Sequence, residues 1–182
     1  MNPSDWITRW SHLVPPGASV LDIACGSGRH LQWFSDRGHA VTGIDRDLGA
    51  AQAWRAVATL VEADIENKPW PLLQDGVPQQ FGGVVVTNYL WRDLLPTVLA
   101  SLAPGGVLLY ETFAVGNETL GRPSRPEFLL QAGELLEVCK DLHVVAYEHG
   151  VRQEPPRFVQ RIAAIRLPNH LPRQAPPAAY AL

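Results

Sequence analysis

Cysteine is scarce: the 182-residue chain has two, Cys25 and Cys139, and their spacing matches no paired metal site. An excess of one charge is missing as well. A formal net charge of −3 and a pI near 6.0 supply no broad cationic field to draw the protein onto a phosphate backbone, which argues against a nucleic-acid binder. Long apolar runs are absent, because stretches such as "LAPGG" at 102–106 are cut by Gly and Pro, short of the roughly 18 residues that a membrane span needs. No membrane segment is expected. The opening "MNPSDWITRW" is not a basic head followed by an apolar run, so the chain is expected in a reducing cytoplasm. What is present, 46% hydrophobic and 18% charged residues, suffices for one ordinary globular core. One domain is expected over residues 1–167, opening with a short lid segment, with a disordered proline-rich tail over 168–182.

Strand and helix patterns alternate along the chain. "ASVLDIA" predicts a first strand after "PPG", and "RHLQWFSDRG" a helix stopping near Gly38. "HAVTGID" predicts the second strand, alanine-rich "LGAAQAWRAVA" a helix, and "TLVEADI" a third strand closing on Asp64. "GGVVVTNYL" is the fourth, followed by a helix that Asp93 can cap and that carries Pro96 in its first turn, ending at "APGG". "VLLYETF" is the fifth strand and "AVGNETLGRPSRPE" a long polar loop. "FLLQAGELLEVCKD" reads as a helix despite Gly133, and "LHVVAYEH" and "VQRIAAIRL" as two closing strands. Near-continuous Val, Ile and Leu strands alternating with helices imply an α/β, Rossmann-like three-layer sandwich with a mostly parallel sheet. Ligands in such sheets bind outside the carboxyl ends of the strands, where Asp22, Asp45, Asp64, Asn88 and Glu111 all fall.

The turn "DIACGSGRH" after the first strand decides what ligand to expect. Gly26 and Gly28 remove Cβ atoms where the chain bends sharply and where a ligand would approach the backbone. A dinucleotide fingerprint asks for a third glycine where Leu31 stands. Asp22, just before the turn, suits an ammonium group better than a pyrophosphate. The pattern therefore favours an amino acid joined to a nucleoside.

"VLDIACGSG", with "GID" ending the second strand and "EAD" the third, resembles the class I S-adenosylmethionine-dependent methyltransferases, nearest to the small tellurite and thiopurine type. The resemblance runs over residues 20–167 and implies a seven-stranded sheet with one antiparallel strand, "VQRIAAIRL". It implies that Asp22 faces the methionine amino group and that Ala24, Cys25, Gly26 and Gly28 line the methionine moiety. Asp45, with Arg46 beside it, would take the ribose hydroxyls, and Asp64 the adenine amino group with Ile65 against the ring. Asn88 and Leu90 would sit near the transferred methyl. The cofactor implied is S-adenosyl-L-methionine, and no metal is expected.

Other roles are open to these residues. Asp22 could cap a helix, Asp45 could be a turn residue, and Arg29 and His30 could be packing side chains instead of partners for the methionine carboxylate. Five tryptophans, Trp6, Trp10, Trp54, Trp70 and Trp91, read as core or cover, with Trp6 and Trp91 best placed to close over a site. In-line methyl transfer needs positioning and exclusion of water more than a base; Tyr89, Glu111 and His149 are the available candidates for one. The fourth strand ends "TNYLW", without the Asn-Pro-Pro-aromatic signature of the family's nucleobase-methylating members, so a small-molecule acceptor is expected, on a monomer or homodimer. A non-catalytic cofactor-binding protein and an NAD-dependent oxidoreductase are the rival readings.

Overall fold

The computed structural model describes residues 2–168. Most of the expected tail, 169–182, lies outside them. Seven strands form one sheet: β1 (Val20–Ile23), β2 (Val41–Asp45), β3 (Ala58–Glu62), β6 (Phe81–Thr87), β7 (Leu102–Phe113), β8 (His143–Gln153) and β9 (Pro156–Ile165). A two-residue ribbon, β4 (Leu73–Gln74) and β5 (Val77–Pro78), stands apart, closed by Asp75 and Gly76 with positive φ at both positions, the turn that Asp-Gly favours.

The sheet order is β3-β2-β1-β6-β7-β9-β8. Neighbours from β3 to β7 are parallel, whereas β9 runs antiparallel to both β7 and β8. The single reversed strand is thus the expected one. Side chains alternate along each strand, so the sheet has two buried faces. Leu21, Ile23, Val84, Val86, Leu108 and Tyr110 fill one. Val20, Val85, Val107 and Leu109 fill the other with Trp6, Trp10, Leu31 and Phe34 from the covering segments. Strand order reverses between β1 and β6, and the ends of these strands open the crevice where α/β sheets take ligands.

The covering helices are short: α1 (Asp5–Trp10), α2 (Arg29–Ser35), α3 (Leu95–Ala100) and α4 (Glu134–Val138). Three helix expectations are corrected. The alanine-rich stretch forms a six-residue 3-10 turn, Gly49–Trp54, because Trp54 Nε1 donates to the Ser27 carbonyl at 2.8 Å and fixes the segment against the glycine turn. Gly133 does not lie inside α4 but before it, at φ +75°, where an L residue would be strained, so the helix begins only at Glu134. Asp93 sits inside a 3-10 turn, Arg92–Leu94, and caps nothing; α3 starts after it with Pro96 in its first turn. "APGG" ends no helix but belongs to β7.

Strands β8 and β9 run further than expected, pairing through Val151 with Phe158 and Arg152 with Arg157. "VRQEPPRF" reads as loop because prolines and arginines carry no strand signal. The paired residues beyond Val159, the partner of Phe113, carry the hairpin past the end of β7.

Candidate functional site

Asp22 lies in β1, 1% exposed, and among the described residues neither carboxylate oxygen accepts a hydrogen bond. His30 faces it, with Nδ1 3.5 Å from Oδ2. The Ser4 amide donates to His30 Nε2 at 3.2 Å; an amide can only donate, so the neutral ring carries its proton on Nδ1, toward Asp22. A buried carboxylate this poorly supplied with donors is costly. It is the kind of group that a ligand ammonium would satisfy.

The turn after β1 rises through Ala24, Gly26 and Gly28, at φ +52°, +54° and +74°. Gly26 donates its amide to Asp45 Oδ2 at 2.8 Å, and Asp47 donates to Oδ1 at 3.1 Å, so one carboxylate ties the end of β2 to the turn. The two glycines have different tasks. A Cβ on Gly26 would meet nothing within 4 Å, while one on Gly28 would stand 2.3 Å from Trp54 Cδ1. Gly28 therefore admits the Trp54 indole, and only Gly26 leaves open space above the turn. Cys25 is buried beneath; desolvation, then the charges of Asp22 and Asp45, push its thiol up to about 12, so it is no nucleophile at neutral pH.

A cavity of about 270 Å³ opens at these strand ends, lined by Ala24, Asp45, Arg46, Ala63, Asp64, Ile65, Glu66, Tyr89 and Phe128. Five expected cofactor residues thus meet, from the ends of β1, β2 and β3, with Tyr89 from the end of β6. Ala63, Glu66 and Phe128 were not anticipated. The first two flank Asp64 and were legible as its neighbours, but Phe128, expected to open a helix, instead closes a 3-10 turn, Pro126–Phe128, at the end of the long polar loop. Apolar Ala24, Ala63, Ile65 and Phe128 beside three carboxylates suit a flat ring bearing amino and hydroxyl donors. Asp64 also accepts from the Glu66 and Asn67 amides, both at 3.1 Å, and the Asn67 side-chain amide above all holds its carboxyl below the usual range. Burial, then Glu66, pushes the Tyr89 phenol well above its ordinary value, which makes it a donor at neutral pH and not a base.

The remaining expected residues lie elsewhere. Asp22, Cys25, Gly26, Gly28, Asn88 and Leu90 do not line this cavity. Leu90 is packed in the core, and Asn88 is exposed at φ +56°, its amide donating to the Glu111 carbonyl at 2.9 Å. His149 is exposed on β8, paired with Gln160 on the far side of β9. Glu111 is 1% exposed with both oxygens committed, Oε1 to the Ser4 hydroxyl at 2.9 Å and Oε2 to Arg161 at 3.1 Å. Trp6 is core and not cover, since its indole N–H donates to the Ile162 carbonyl and its ring meets Trp10 edge-on. Trp91 lines a separate groove with Arg92 and Glu127.

Residues 20–106 match the family model described as a methyltransferase domain. A malonyl-[acyl-carrier protein] O-methyltransferase of Serratia marcescens is 34% identical over 109 residues, covering 56% of this chain and 41% of the relative. A tRNA U34 carboxymethyltransferase of Idiomarina loihiensis is 30% identical over 132 residues, covering 64% of this chain and 40% of the relative. The chain spans about two fifths of the length of these curated relatives. Among solved structures, TehB from Haemophilus influenzae superposes with a TM-score of 0.66 at 19% identity, covering 89% of this chain and 61% of that one. An S-adenosylmethionine-dependent methyltransferase from Mesorhizobium loti gives 0.65 at 17%, covering 87% and 96%. Residues 20–106 thus carry a match to a methyltransferase domain, and the whole chain has the fold of the solved S-adenosylmethionine-dependent methyltransferases. Among the described residues no helix is long and apolar enough to cross a membrane.

Proposed function

We propose that this chain binds S-adenosyl-L-methionine across the ends of β1, β2 and β3 and catalyses transfer of its methyl group to a small-molecule acceptor. The observation that carries this reading is the convergence of Ala24, Asp45, Asp64 and Ile65 on one cavity, beside the donor-poor carboxylate of Asp22. Asp45 is half-buried and held by two backbone amides, so its oxygens are oriented before any ribose hydroxyl arrives. Asp64 and Ile65 face the same space with Phe128 opposite, as a ring with an exocyclic amine requires. Asp22 supplies charge for the amino group. When bound, the cofactor supplies a methyl carbon already activated by a sulfonium, so the chain's own work is to orient the acceptor and exclude water.

The named relatives act on a malonyl carrier protein and on tRNA. A net charge of −3 on this chain supports a small acceptor over a tRNA, since it offers no field for a polyanion. Calorimetric titration with S-adenosylmethionine and, in parallel, NADH tests the reading. Micromolar binding of S-adenosylmethionine that collapses in Asp45→Ala is the expected result. Tight NADH binding instead would transfer the protein to the oxidoreductases, and cofactor binding without turnover of any acceptor would leave a binding protein.

A further inference from the structure

The extended tip of the β8–β9 hairpin overhangs the same sheet edge as the cofactor cavity and places Arg152 directly across from Arg157. Like charges in that position destabilise a strand pair. Arg152 is compensated by Asp5 at 2.9 Å, and Arg161 by Glu148 at 2.7 Å and Glu111 at 3.1 Å. Arg157 is not. Among the described residues its only ion pair reaches Glu111 at 4.0 Å, a carboxylate already shared with Arg161 and Arg152, and its buried Nε finds no acceptor. Arg29, whose Nη2 donates to Thr87 Oγ1 at 3.2 Å, adds a further positive charge toward it. Burial, despite Glu111, lowers the affinity of Arg157 for its proton, as expected for a cation short of counter-charge.

Arg157 borders a cavity of about 240 Å³ whose other walls include Phe113, Leu120, Arg122 and Pro156. The cavity lies at the carboxyl end of β7, since Phe113 is the last residue of that strand, and Glu111, two residues before it, accepts the amide of Asn88, the neighbour of Tyr89, through its carbonyl. Its walls are held in place: the Asn117 side chain accepts from the Phe158 amide at 3.2 Å and donates to the Pro123 carbonyl at 3.0 Å. We propose that this cavity is the acceptor subsite, that Arg157 and Arg122 hold a carboxylate of the acceptor there, and that the substrate class is a small carboxylic acid with an apolar body lying against Phe113. A guanidinium matches a carboxylate bidentately, and an apolar, partly buried surround strengthens the pair. The inference rests on the methyltransferase reading but uses residues outside the cofactor cavity.

The test is calorimetry on the full chain saturated with S-adenosylhomocysteine, titrated with benzoate, malonate and inorganic phosphate. Wild type is compared with Arg157→Met, Arg157→Lys and Arg122→Met. At least one carboxylate is expected to bind, roughly tenfold or more weaker in Arg157→Met and partly restored in Arg157→Lys, with S-adenosylhomocysteine affinity unchanged in all three variants. If S-adenosylhomocysteine binds while no carboxylate does, or if carboxylates bind Arg157→Met as tightly as wild type, the subsite is wrong and the cofactor reading stands. Phosphate binding without carboxylate binding overturns the substrate class. Failure of wild type to take up S-adenosylhomocysteine removes the cofactor reading, and this inference with it.

Discussion

The two halves of the sheet edge solve the same problem, holding carboxylates in place, in opposite ways. At the ends of β2 and β3, Asp45 and Asp64 are held by amides two or three residues on, and in Asp45 by the glycine turn as well. At the end of β7, Glu111 is held by groups 50 and 107 residues away, Arg161 and Ser4, and is shut off from solvent. The first arrangement leaves carboxylate edges facing a cavity and suits a ligand that comes and goes. The second ties the N-terminal segment to the closing hairpin and suits a permanent scaffold. The family match, residues 20–106, covers the first half and stops before the second.

That contrast can be broken most sharply by deleting each carboxylate in turn. Glu111→Ala leaves Arg161 and the Ser4 hydroxyl without their buried acceptor, and the expected loss of stability is about 3–5 kcal/mol, read as a lowered urea midpoint. Asp45→Ala should cost binding more than stability. Its fold is expected to lose no more than about 1–2 kcal/mol, the worth of two amide bonds, while S-adenosylmethionine affinity drops roughly 100-fold. Equal stability losses in the two variants would erase the distinction between scaffold and site.

The glycine turn offers a smaller comparison within the first half. Gly28→Ala places a Cβ into the Trp54 ring at positive φ and should cost about 2–4 kcal/mol, whereas Gly26→Ala meets only the conformational penalty, about 1 kcal/mol. Trp54→Leu should rescue part of the Gly28→Ala loss and none of the Gly26→Ala loss. Thermal melts of the six proteins, wild type, three single variants and two doubles, check the set.

The weakest effect expected is on pH dependence. Burial pushes both thiols up to about 12, Cys25 with help from Asp22 and Asp45. A folded pKa above the unfolded value means that the folded chain keeps protons the unfolded chain has lost. Stability is therefore whole below pH about 9 and declines as pH rises toward about 12. Cys25→Ala should make that decline shallower, measured by urea titrations at stepped pH.

Much of the first half was legible because its signals are local. Short strands rich in Val, Leu and Ile with an acid at or near their end, two glycines spaced by one residue and a third acid after "VEA" all report on neighbours in sequence, and backbone geometry then carries them to one edge. The second half was not. Glu111 resembled any other acid at a strand end, and nothing near it announces Ser4 or the three arginines of "VRQEPPRFVQR". The helices failed for a related reason: propensity over six or seven residues is too weak to set an end, so Trp54 and the left-handed Gly133 decided where turns begin.

Sequence by itself determined the strand order's raw material: alternating apolar strands and the acids at their ends, because side-chain periodicity and turn chemistry act within a few residues. Tertiary structure decided which of those acids face a cavity and which become buried counter-ions. That choice depends on desolvation and on charges brought from more than a hundred residues away, and neither is a property of any local stretch.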